Sequence, residues 1–197
     1  MKVNIGAVNA LDPLPATLVG AKVGGKPNYI AIAWVGIVGR NRISIGMNKE
    51  HYTNAGIKEN KCFSVNIPSE SLVEKTDYCG IYSGREVDKS RVFASFYGVL
   101  NDAPMIQECV VNMECRLIDI IDTPYHDVFV GEVVATYCDE CVLVDGKIDL
   151  SRVKPILYSM SDRGYWTLGE RLTSAWDIGK KWNILNGFLL LASFLKN

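Results

Sequence analysis

The chain has almost no net charge. Its 197 residues carry 21 Lys and Arg against 22 Asp and Glu, a formal charge of −1, with a pI near 6.1. A basic footprint is missing, and aromatics are not interleaved with Lys/Arg runs, so composition argues against nucleic acid as a partner. Long apolar runs are missing too. The longest, around Phe188–Leu195, is shorter than the roughly 20 residues of a membrane span, so no span is expected. The opening MKVNIGAVNALDPLP holds one lysine and no apolar leader core, so no signal peptide is expected. Six irregularly spaced cysteines then read as reduced thiols and a cytoplasmic setting. Histidine is scarce, with two copies. Cys138-Asp139-Glu140-Cys141 is a CxxC, but neither a second CxxC nor a histidine pair completes a metal set, so no metal is expected. The G-x-G-x-x-G, P-loop and G-x-S-x-G signatures are absent.

What the chain does have is strand pattern. Hydrophobic residues make up 48%, enough for one core-bearing domain of this length. Ala16–Val23 and Tyr29–Val35 flank Gly24-Gly25-Lys26-Pro27, which predicts a hairpin. Arg42–Met47 and Lys61–Ile67 read as the next strands. A short helix is expected over Ser69–Cys79 and an ordered polar loop over Ile81–Phe96. Cys109–Ile121 and Val128–Tyr137 alternate as strands joined across Asp122–Asp127, and Asp145-Gly146 marks a tight turn. Many short strands with few helices predict a mainly β, antiparallel barrel.

Three clusters carry potential chemistry. In Asn28–Trp34, NYIAIAW, small Ala31 and Ala33 allow close approach to the strand backbone and Trp34 offers a wall; an ordinary strand with a core tryptophan is the plain alternative. In Met47–Thr53, a cation, hydroxyls and a helix start come together, with Thr53 expected as the helix cap. A solvated charged turn is the alternative there. In Asp77–Ser90, DYCGIYSGREVDKS, Ser83 and Gly84 present a hydroxyl and bare backbone and Lys89 a point charge; a capped surface loop is the alternative.

Together with FSVNIP at 63–68 and HDVFVGEV at 126–133, these clusters resemble the flavin reductase-like family, its flavoredoxin branch most closely, from Leu14 to Lys180. The resemblance implies an FMN-binding split β-barrel of Greek-key antiparallel strands over residues 1–182, working as a homodimer. An apolar tail, 183–197, falls outside the pattern and is expected to dock on the core or on a partner subunit. By position, Asn28 and the backbone of Ile30, Ala31, Ile32, Ala33 and Trp34 would line the isoalloxazine. Met47, Asn48, Lys49, Tyr52 and Thr53 would hold the ribityl phosphate. Ser83, Gly84 and Lys89 would close over the flavin, with Lys89 as the candidate cation near the pyrimidine end of the ring. His126 is the candidate for proton transfer, with a structural role at the hairpin tip as its alternative, and Tyr165 or Trp166 would stand near the ring. The implied activity is FMN-dependent oxidoreduction, by a flavin reductase or an electron carrier fed by reduced nicotinamide or a redox protein. Release of reduced FMN to a partner monooxygenase, non-catalytic flavin storage, and a barrel that binds no flavin are the other readings.

Overall fold

In the computed structural model, which describes residues 1–182, the glycine turn sets the first hairpin. Strand β1 (Thr17–Val23) pairs antiparallel with β2 (Lys26–Ile32). Gly24 and Gly25 turn the chain at φ +56° and +78°, a region glycine enters without a Cβ penalty. The apolar tail lies outside the described residues.

The expected strand Tyr29–Val35 is in fact two. After Ile32 the chain turns: Val35 N donates to Ala33 O at 2.9 Å, and Gly46 N to Trp34 O at 2.8 Å. These bonds redirect the chain to the far edge of the sheet, where β3 (Val35–Gly39) pairs with β4 (Arg42–Asn48). Helix α1 (Thr53–Asn60) leads into β5 (Cys62–Ile67), and helix α2 (Val73–Ile81) follows a 3₁₀ turn at Glu70–Leu72. The long strands β6 (Val111–Asp122) and β7 (His126–Cys138) form the second large hairpin.

These strands make one antiparallel seven-stranded sheet in the order β2-β1-β5-β6-β7-β4-β3. The non-sequential neighbours β1/β5 and β7/β4 require the crossing connections of a Greek key. β2 packs back against β4 without ladder bonds, so the barrel is split. A small sheet of Leu14–Pro15, β8 (Ile156–Ser159) and β9 (Gly164–Thr167) lies beside it.

The burial pattern explains why the sheet coils. Ile43, Ile45 and Met47 alternate inward from β4 and meet Val19, Phe63 and Phe129 in the barrel interior. Thr17–Ala21 is buried residue by residue, because β1 is covered on both faces. Leu18 and Tyr29 pack outside the barrel on Cys79 of α2 and on Phe93. That outer layer ties α2 to the sheet and so positions the loop that follows it.

Candidate functional site

The turn after β2 and the turn after β4 meet beside α2, and two adjoining chambers open there. The first holds about 490 Å³ and is bordered by Ala31, Ala33, Trp34, Gly46, His126 and Tyr165. It is flat because small residues leave the backbone of the strands bare. Trp34 packs on His126 at 4.9 Å between ring centroids, tilted by 38°, and its indole N–H points to Met160 Sδ at 3.2 Å. The β7/β4 register sets His126 opposite Asn48. The Tyr165 hydroxyl donates to Asp77 Oδ1 at 2.9 Å, tying β9 to α2, and burial pushes that phenol up.

The second chamber, about 220 Å³, lies at the start of α1. Asn28, Thr53, Ser83, Gly84, Arg85 and Lys89 border it. Asn28 Nδ2 donates to Thr53 Oγ1 at 2.8 Å, which leaves the threonine proton free to donate onward. Thr53 is therefore not the helix cap the sequence suggests: it is the first helical residue, Tyr52 occupies the cap position, and no side chain caps it. Asn28 has taken the hydroxyl instead. Arg85 lies over the Tyr52 ring at 5.5 Å and donates from Nη1 to Glu50 O at 2.7 Å.

Lys89 is 3% exposed. Its Nζ donates to Tyr29 O at 3.0 Å and Cys79 O at 2.7 Å. Two of three N–H groups are thus used on neutral carbonyls, one remains, and burial pushes the ammonium pKa down. Lys89 borders the second chamber and not the flat one.

Two expected ligand residues are elsewhere. Met47 is fully buried in the barrel core, because its position on β4 is an inward one. Lys49 is engaged by Asp122 and, at 3.2 Å, by Asp127, so its charge is neutralised on the far side of the turn. Lys58, also on Asp127 at 2.6 Å, is the first cause that holds this carboxyl below the usual range. Ile30 and Ile32 turn their side chains into the core; Ile30 borders the second chamber and Ile32 the first. Asn48 borders the flat chamber, Tyr52 the cationic one.

The sequence reading passed over His51, Arg85, Asp77 and Arg163, although the first three lie inside or beside its clusters. His51 borders both chambers, and Arg163, at φ +55°, turns the β8–β9 hairpin into the flat one. The signal that identifies Arg85 is its place two residues beyond Ser83, whose hydroxyl accepts the Arg85 amide at 3.2 Å.

Other features take no part. A larger groove of about 960 Å³ runs between residues 144–154 and 167–171 and holds none of the expected site residues. Cys138 is half-buried and Cys141 exposed, both as free thiols. Among the described residues no group of three or more His, Cys, Asp or Glu is placed to hold a metal, and no helix is long and apolar enough to cross a membrane.

Comparison with known proteins agrees with this geometry. A family model described as the flavin reductase like domain matches residues 12–166. The structure is similar to that of a flavoredoxin from Methanosarcina acetivorans, 46% identical with a TM-score of 0.89, over 91% of this chain and 98% of that one. It is also similar to the flavoredoxin of Desulfovibrio vulgaris (Miyazaki F), 35% identical with a TM-score of 0.84, over 91% of this chain and 100% of that one. An uncharacterized protein of Archaeoglobus fulgidus is 30% identical over 152 residues, covering 75% of this chain and 84% of that protein. Fold and likeness converge: the chain belongs to the flavin reductase-like domain family, in its flavoredoxin branch.

Proposed function

We propose that this chain is an FMN-dependent oxidoreductase of the flavoredoxin kind, with the isoalloxazine in the flat chamber and the phosphate in the cationic one. The observation that carries this reading is the union of two chambers of opposite character. One is a flat slot of the size range of small-molecule sites, and the other is a small cavity with two cations and a helix start. A flavin mononucleotide has that same division, an apolar plate joined to a dianion. Residues of both chambers fit it, and His51, whose buried Nδ1 has no partner, borders both.

FMN, when bound, supplies hydride and single-electron exchange. The protein binds, orients and shields. Ala31, Ala33 and Gly46 let the strand backbones face the plate, and Trp34 over His126 walls its edge. Thr53 donates its free hydroxyl proton toward the phosphate, Arg85 offers a fork of donors, and Lys89 its third N–H. The dipole at the start of α1 favours an anion there. In this reading His126 would hold or move a proton at the plate's edge.

The purified protein is expected to be yellow, with reduced nicotinamide bleaching the flavin band under anaerobic conditions. Bleaching by dithionite alone would make a redox protein the donor. A colourless chain that FMN cannot reconstitute would remove the proposal.

The working unit is proposed to be a homodimer. Strand β3 is an outer strand, and its Ile37 and Val38 are 86% and 55% exposed beside Trp34. An apolar strand edge of this kind calls for a cover. Sedimentation equilibrium should give twice the 21.8 kDa chain mass, and Ile37→Lys should shift it to one; a wild-type monomer at micromolar concentration rejects this.

A further inference from the structure

His51 has a geometry the reading above leaves unused. It lies on the turn from β4 to α1 and is held by its backbone: its amide donates to Asn48 O at 3.0 Å and its carbonyl accepts from Asn54 N at 3.2 Å. The residue borders both chambers. Its Nδ1 is buried with no hydrogen-bond partner. Buried ring nitrogens are normally bonded, so an unpartnered one beside a cavity points to a bond made by a ligand.

The charges around it come from every element of the site. Its own loop brings Glu50 and Tyr52, β7 brings His126, and the segment after α2 brings Tyr82, Arg85 and Lys89. Asp77 of α2 borders the flat chamber with its carboxylate already engaged by Tyr165, and Tyr158 and Arg163 come from the β8–β9 hairpin. Arg85, Lys89 and Arg163 outnumber the acids, and Glu50 is the one carboxylate bordering the cationic chamber. Burial first, then His126 and Lys89, lower the pKa of the ring.

Resting on the FMN reading, we propose that His51 is a positioning residue for the phosphate end of the flavin, donating from Nδ1–H to a ligand oxygen and taking up a proton from solvent as the dianion enters. The physical reason is charge. A phosphate monoester carries close to two negative charges at pH 7. Placed in the cationic chamber, it offsets the field of Lys89 and His126, and an opposite charge within about 4–6 Å favours the protonated ring. Burial therefore favours the neutral ring without ligand, and the dianion draws it toward the protonated form. Binding then consumes protons, and the His51 contribution to affinity grows as pH falls. Riboflavin has the same plate and no phosphate, so it triggers none of this.

The test titrates the flavin-stripped full chain with FMN and with riboflavin, calorimetrically, at pH 7 in buffers of different ionisation enthalpy. Wild type should take up about half a proton more per FMN than His51→Gln. The glutamine chain should bind FMN about tenfold more weakly, with riboflavin affinity little changed. Imidazole NMR on the unaltered chain gives the same answer without a variant. There are two histidines, and His126 is identified by its contact with the Trp34 indole. The His51 titration should move up by about one pH unit with FMN and stay put with riboflavin. An FMN complex with equal proton uptake in both chains and an unmoved His51 signal overturns the role of His51. Failure of the unaltered chain to bind FMN overturns the flavin reading itself.

Discussion

Gly84→Ala is expected to weaken FMN binding by about 100-fold, close to 2.7 kcal/mol, with a smaller loss of global stability. A Cβ at Gly84 would overlap Asn28 Oδ1 and stand 2.5 Å from Tyr52 Cδ1. Neither neighbour can swing aside cheaply. Asn28 is 4% exposed and donates to Thr53, and the Tyr52 ring lies under Arg85. The corner 83–89 must therefore retreat, and it takes Arg85 and the Lys89 ammonium with it. A displacement of about 1 Å is large for hydrogen bonds that operate over a narrow distance range. The barrel core is on the other side of β2, so the cost to folding is confined to the weakened Lys89 bonds to Tyr29 O and Cys79 O, about 1–2 kcal/mol, and urea unfolding should show a correspondingly small fall in midpoint. Fluorescence titration of the stripped protein measures the affinity. A dissociation constant within threefold of wild type would show that this corner does not hold the ligand.

Glu114→Ala is expected to cost on the order of 3–5 kcal/mol of folding stability, with flavin binding of the remaining folded protein retained. Glu114 is fully buried in β6. Its carboxylate accepts from Val99 N at 2.9 Å, Leu100 N at 2.7 Å and the Tyr137 hydroxyl at 2.8 Å. It thereby pins the 97–103 loop across the outer face of the β6–β7 hairpin. Alanine leaves three donors without acceptor and opens a cavity, both among the costlier single changes. Glu114→Gln keeps the shape and one acceptor and should cost less than half as much. With a urea slope of about 2 kcal/mol/M, the alanine chain should unfold about 2 M earlier. A midpoint shift below about 0.5 M would mean that the loop is held by something else.

Much of the fold is legible in residue order. The glycine pair before Lys26 can only turn the chain, and two-residue alternation in Ile43, Ile45 and Met47 marks an inward face of β4. The same alternation read literally removes Met47 from the ligand site, since a residue that follows the core period belongs to the core. Trp34 is less legible. The run Tyr29–Val35 is continuous in β propensity, yet the ladder breaks after Ile32 because Trp34 O and Gly46 N bond across the chain. No local propensity encodes a partner twelve residues away.

The site shows the same division. The residue types came from the sequence: a small-residue strand, a polar turn before a helix, and a Ser-Gly loop with cations. Their assignments came from the fold. Lys49 and Arg85 are equally good phosphate ligands as sequence, but Lys49 meets the carboxylates of Asp122 and Asp127 across the β6–β7 hairpin, and Arg85 has only a carbonyl and a ring. Charge pairing over 73 positions of chain is invisible until the strands are in register. The sequence by itself thus determined a mainly β chain of this family and put its candidate site in three named segments. Only the tertiary structure decided that Lys49 is paired with carboxylates while Arg85 is not, that Thr53 serves Asn28 and not its helix, and that His51 borders both chambers, because each depends on which groups distant strands bring together.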